Sequence, residues 1–285
     1  RPDGSPMWTT PGRDPRRKRW LLNWARWLDD RAARRVLSWW YPREARPQDL
    51  EEPPFLPAAA DSQSGLAVLR ANWLGSGDWL AVDPGGSDSG FGLELGVRGR
   101  PWLGPSWCWD TAERPGRVRL SHWSSTWRAD VAEWTLRLGA DRIVRTAVLA
   151  RDQGLALLGE EVEVRGPRTP RFGLSLAPDL EPHLEPDGTS VKLTARRGGT
   201  VWLHALDAKA SQSQGPPSPT WQFDGQRLWR SPPPRSSATR RSWSAVLVSW
   251  ETSRLRKPLE CRPLTVSQVS RIVPLDKAFA ARLSW

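Results

Sequence analysis

Two adjoining stretches decide the fold: Ile143-Val144-Arg145-Thr146-Ala147-Val148-Leu149-Ala150 and Leu155-Ala156-Leu157-Leu158-Gly159-Glu160-Glu161-Val162-Glu163-Val164, with Asp152-Gln153-Gly154 between them. Both are short, apolar or alternating, and bounded by turn residues, which is the signal of strands and not of helices. The same pattern extends outward. Residues 66–70, 79–83, 91–98, 118–122 and 131–138 precede the pair, and 172–176, 190–195, 200–206, 221–229 and 243–250 follow it. Gly75-Ser76-Gly77, Pro84-Gly85-Gly86, Asp187-Gly188 and Gly198-Gly199 punctuate these runs. A dozen short strands with little helix between them predict an all-β fold, a large antiparallel sandwich over residues 61–285. The Pro-rich stretches 214–219 and 231–235 read as exposed loops.

The first sixty residues differ. Residues 1–15 read as a disordered lead-in rich in Pro, Gly and Thr. Trp20, Leu21, Trp24, Trp27, Leu28, Ala32, Val36, Leu37 and Trp40 then recur at three-four spacing, predicting one amphipathic α-helix over residues 16–41, ended by Pro42. Residues 42–60 read as a linker. Residues 1–40 carry ten positive and four negative charges, more than half of the net +11 of the chain. Such a helix can lie on an anionic membrane surface through Arg16–Trp40, or pack its apolar stripe against the rest of its own protein.

Composition narrows function less than it narrows fold. Of 42 basic residues 37 are Arg, and there are 20 Trp against one Tyr, Tyr41. Arg makes bidentate contacts with carboxylate, sulfate and phosphate, so an anion-binding surface is one reading. A G- and C-rich genome is the other, because the excess runs along the whole chain. Outside the first forty residues the charge is too dilute for a nucleic-acid stripe. No apolar run approaches the ~18 residues that span a bilayer, and no charged-then-apolar leader follows Arg1. Cys108 and Cys261 either pair or remain two thiols.

Motifs for chemistry are scarce. Gly104-Pro105-Ser106-Trp107-Cys108 lacks the second glycine of a nucleophile elbow. Neither a phosphate-binding glycine loop nor a His/Cys metal cluster is present, so no cofactor and no metal are expected. The three histidines are His122 at a strand end, His204 inside an apolar strand where a hydrogen-bonded structural role is expected, and His183 in an expected exposed loop. Glu161 and Glu163 share one strand face. They are neighbours, not a pair across a cleft, and Arg142, Arg145 or Arg165 are their expected partners.

Ser64-Gly65-Leu66-Ala67-Val68-Leu69-Arg70, Trp79–Pro84 and Phe91–Pro105, with residues 142–149 and 155–164, resemble the C-terminal β-sandwich of heparinase II/III-like proteins. The resemblance covers about 100 residues. It implies a supersandwich-like fold, polysaccharide lyase ancestry, acidic polysaccharide as ligand, and an upstream helical domain as partner. That family carries a His-x-His-x-Asp run, whose positions here are Gly85, Ser87 and Ser89. His122 matches a family histidine, but Trp123 stands where the family has Asn. A lyase needs a His or Tyr base and a cation on the uronate carboxylate. The resemblance therefore implies a sandwich without lyase activity, structural or binding acidic polysaccharide, with Arg98, Arg100, Trp102, Trp107 and Trp109 as candidate ligand residues. The alternative is a divergent lyase built from His122, Arg145 and Glu161.

Overall fold

A computed structural model describes residues 56–250 apart from 73–76, 88–89, 111–114, 152, 164–170, 187, 197, 208–220 and 231–240. The expected lead-in, the basic helix with its membrane or packing role, and Cys261 lie outside the described residues. In chain order the strands are β1 (Ala59–Ala60), β2 (Ala67–Arg70), β3 (Trp79–Ser87), β4 (Gly90–Val97), β5 (Arg100–Trp109), β6 (Arg119–Ser125), β7 (Ala129–Leu138) and β8 (Asp141–Ala150). They continue as β9 (Leu155–Glu163), β10 (Phe172–Leu176), β11 (Leu180–Leu184), β12 (Ser190–Ala195), β13 (Thr200–Asp207), β14 (Trp221–Asp224), β15 (Arg227–Arg230) and β16 (Arg241–Ser249).

The strands form two eight-stranded antiparallel sheets, ordered β1-β2-β3-β4-β5-β10-β15-β14 and β11-β12-β13-β16-β9-β8-β7-β6. The two stretches that decide the fold are β8 and β9, paired from Arg142↔Glu163 to Ala150↔Leu155 near the middle of the second sheet. Alternation puts one face of each strand into a common core. On β7 those residues are Ala132, Trp134, Leu136 and Leu138, and on β4 Phe91, Leu93, Leu95 and Val97. A smaller apolar cluster, including Val131, Val148, Leu157 and Leu247, sits on the other face of the second sheet.

The structure departs from the sequence reading in four places. The run 221–229 is not one strand but the hairpin β14–β15, turned at Gly225 (φ 59°). β11 forms where the sequence reads as loop, and β5 lies outside the strands read from periodicity. β11 places His183, exposed as anticipated, on the edge strand, where Pro182 costs no interior ladder bond. Ala59 and Ala60, the last residues of the expected linker, pair with Val68 and Ala67.

Three tryptophans tie the layers together, because a buried indole usually finds an acceptor for its N–H; Trp107, whose Nε1 is buried without a partner among the described residues, is an exception. Trp134 donates to the Gly65 carbonyl (2.6 Å), Trp221 to the Thr189 carbonyl (3.1 Å) and Trp250 to Asp78 Oδ2 (3.0 Å). Arg230, buried on β15, donates from Nη1 to the Ala245 carbonyl and from Nη2 to the Leu206 carbonyl (2.9 Å), crossing from one sheet to the other. Such bulky contacts demand glycine elsewhere. A Cβ on Gly90 would sit 2.4 Å from the Trp107 carbonyl oxygen, a backbone atom that cannot swing away. Gly90→Ala should therefore cost about 1–3 kcal/mol of overpacking strain, read as a lower urea midpoint; an unchanged midpoint would contradict the packing described here.

Candidate functional site

The eight residues singled out from the sequence separate into distinct environments. Arg98 and Arg100 flank the β4–β5 turn. Arg98 (φ 52°) and Gly99 (φ 78°) are the two left-handed residues of a two-residue hairpin turn. Asp78 Oδ1 holds the turn by accepting the Arg98 backbone N–H (2.7 Å). The Arg98 side chain is exposed, and Arg100 donates from Nη1 to the Gly198 carbonyl (3.5 Å) while lying over the Trp102 ring (5.8 Å).

Trp102, Trp107 and Trp109 are core residues, at 4%, 0% and 2% exposure. None has a ring face for a ligand to stack on. Their alternate placement on β5 directs Trp107 and Trp109 inward, against Phe91 at 6.2 and 6.1 Å, edge to face. The stacking platforms expected there are packing elements.

Arg145 is fully buried on β8. Its Nε donates to Glu160 Oε2 (3.1 Å), and its Nη1 crosses the core to the Trp107 carbonyl (2.7 Å). Trp109 Nε1 donates to Glu160 Oε1 (2.8 Å), so the carboxylate is held from both sheets. The guanidinium lies over the Trp109, Trp107 and Phe91 rings at 3.5, 4.4 and 4.8 Å. Burial lowers the Arg145 pKa to about 10, against the opposing pull of Glu160, so it remains cationic at neutral pH.

Glu161 follows Glu160 and so points to the other face of the sheet, away from Arg145. His122 is on edge strand β6, opposite Glu133, half-buried with Nε2 shielded from solvent and without a hydrogen-bond partner among the described residues. His122, Arg145 and Glu161 thus occupy an edge, the core and the outer face. Gly85 lies exposed beside Asp83, whose Oδ1 accepts its N–H (2.9 Å). His204 is half-buried between Ser190 Oγ (3.1 Å to Nδ1) and Ser249 Oγ (3.5 Å to Nε2), a hydrogen-bonded structural histidine, though on the outer face. Cys108 is buried, with no disulfide partner among the described residues. Among the described residues no cluster of three His, Cys, Asp or Glu is placed to hold a metal.

One constellation escapes sequence reading. Arg171 stands before β10 and Trp229 on β15, and register brings Gly173, Trp229 and Gln222 side by side on the outer face of the first sheet. Arg171 is held by Asp110 (Nε to Oδ2, 2.8 Å) and by Gln222 Oε1 (Nη1, 2.7 Å). No local signal marks this site, because its parts lie on four separate segments.

The architecture is that of the β-sandwich of heparinase-type polysaccharide lyases. Heparan sulfate lyase HepC from Pedobacter heparinus matches at a TM-score of 0.63 and 16% identity, covering 87% of this chain and 44% of its own. Two structures of heparinase III match at TM-scores of 0.65 and 0.62, with 9% and 10% identity and 44% of each covered. The chain thus spans less than half the length of these enzymes, and at such identities the likeness is one of fold. No protein-family model and no curated protein matches the sequence.

The Arg145–Glu160 pair carries a direct prediction. Breaking a buried pair leaves one uncompensated charge, whereas replacing both partners with apolar residues need not. Glu160→Ala should lose about 3–5 kcal/mol in urea unfolding, and Arg145→Met/Glu160→Leu should lose less than the two single variants together. Simple additivity would contradict the coupling.

Proposed function

We propose that this domain is a heparinase-type sandwich that binds acidic polysaccharide, or scaffolds a larger protein that does, and carries no eliminase centre of its own. The observation that carries this reading is the separation of His122, Arg145 and Glu161. Eliminating a uronate needs a base beside the C5 proton and a cation on the same carboxylate at once. Here the cation of that set is sealed in the core and committed to Glu160 and the Trp107 carbonyl. The Nε2 of the one histidine that matches a family position is shielded. The fold shared with heparan sulfate lyase HepC and heparinase III supports a role around acidic sugars. Exposed arginines, Arg98 among them, supply charge suited to sulfate and carboxylate.

Incubating the chain with heparan sulfate, chondroitin sulfate or alginate should yield no rise in the ultraviolet absorbance of an unsaturated uronate. Steady product formation that disappears in His122→Ala would replace this reading with the divergent-lyase alternative.

A further inference from the structure

We infer that the outer face of the first sheet at Trp229, Arg171 and Gln222 is a glycan subsite, in which a pyranose ring stacks on Trp229 while its carboxylate or sulfate meets Arg171. This deepens the polysaccharide-binding reading and rests on it.

The geometry of the tryptophan is the first argument. Gly173 lies beneath the ring: an added Cβ would stand 2.8 Å from Cε3 and Cζ3. The glycine lets the indole lie against the sheet, and the ring remains half-buried, with the rest of its surface in solvent. Flat, rigid aromatic surface offers contact area at small entropic cost.

The second argument is the restraint on Arg171. An exposed arginine ordinarily samples many rotamers, and ordering it on binding is costly. Here Asp110 accepts the Arg171 backbone N–H with Oδ1 (2.7 Å) and Nε with Oδ2 (2.8 Å). Gln222 Oε1 accepts Nη1 (2.7 Å). The guanidinium is thereby fixed over the Trp229 ring, 5.7 Å from its centroid, with Nη2 taking no partner among the described residues. Asp110 commits both oxygens to Arg171, so it orients the cation and does not compete for the ligand.

Other cation–aromatic pairs lack one of these features. Trp127 is 65% exposed, but Arg128 itself lies over its ring at 4.3 Å, and no described acceptor holds that guanidinium. Trp202 is stacked on His204 at 6.1 Å, and no described acceptor holds the Lys192 ammonium 5.7 Å from its ring centroid. Arg100 over Trp102 and Arg145 over Trp107 and Trp109 are also restrained, but those rings are buried; among the described residues, Trp229 alone combines a ring partly in solvent with a cation held by side-chain acceptors. The Gln222 carboxamide supplies an N–H₂ donor beside them for a sugar hydroxyl, and Arg227 and Asp224 face each other two positions further along the hairpin.

Calorimetric titration of the full chain with a size-defined heparan sulfate oligosaccharide tests the subsite. Trp229→Leu and Arg171→Gln should each weaken binding about tenfold, and Arg171→Gln should flatten its salt dependence. Arg128→Gln should bind as the parent does. Asp110→Asn separates restraint from simple charge. It makes the surface more positive, so a diffuse electrostatic patch would bind the anion more tightly, whereas release of Arg171 weakens it. Should Trp229→Leu fail to fold, the Arg171 and Asp110 variants decide alone. Parent-like affinity in Arg171→Gln, or tighter binding in Asp110→Asn, would overturn the subsite while leaving polysaccharide binding intact. No affinity of the parent chain for any acidic glycan would overturn both.

Discussion

The buried ion pair of Arg145 and Glu160 is the constraint around which the two sheets are arranged. Desolvating a carboxylate and a guanidinium costs several kcal/mol each, and several neighbours offset part of that cost, although Arg145 Nη2 takes no hydrogen-bond partner among the described residues. Trp109 places its indole N–H on one carboxylate oxygen, the Trp107 carbonyl accepts one guanidinium N–H, and three aromatic rings enclose the cation. Arg145 and Glu160 belong to the second sheet, whereas the two tryptophans and Phe91 belong to the first. The charge pair therefore fixes how the layers face each other as well as how they cohere.

The same arrangement decides what the core can do. Arg145 is fully buried, with Nε on Glu160, Nη1 on the Trp107 carbonyl and Nη2 without a partner among the described residues, and the tryptophans around it are buried too. On the outer surface, Arg98 at a hairpin tip and Arg171 beside Trp229 remain in contact with solvent. Two arginines on one scaffold thus have opposite fates. Arg145 is held inside by a carboxylate and aromatic rings; Arg171 is held outside by a carboxylate and an amide, oriented toward whatever meets Trp229.

Much of the fold is legible in the sequence because β8, β9 and their relatives alternate or run apolar between turn residues, a signal that survives without any homologue. Strand β5 is missed by periodicity because Pro101, Gly104 and Pro105 interrupt it, although Trp107 and Trp109 two positions apart already carry the period-two signature of an inward face. The β14–β15 turn, by contrast, is legible: Asp224-Gly225 is a hairpin-turn dipeptide inside the run read as one strand. Site residues are harder. Sequence alone cannot say that Arg145 faces a core, since a buried arginine is legible only from its partners across the sheet and the sandwich. Nor can it join Asp110, Arg171, Gln222 and Trp229, whose adjacency is a product of strand order β5-β10-β15-β14.

Whether a heparinase-type sandwich holds acidic glycan without cleaving it is tested most directly by following binding and chemistry in one sample. The full chain is added to a heparan sulfate oligosaccharide while its electrophoretic mobility and its ultraviolet absorbance are recorded together. Retarded migration with constant absorbance is the predicted result. Absorbance that climbs with time, or migration that never changes, would contradict it.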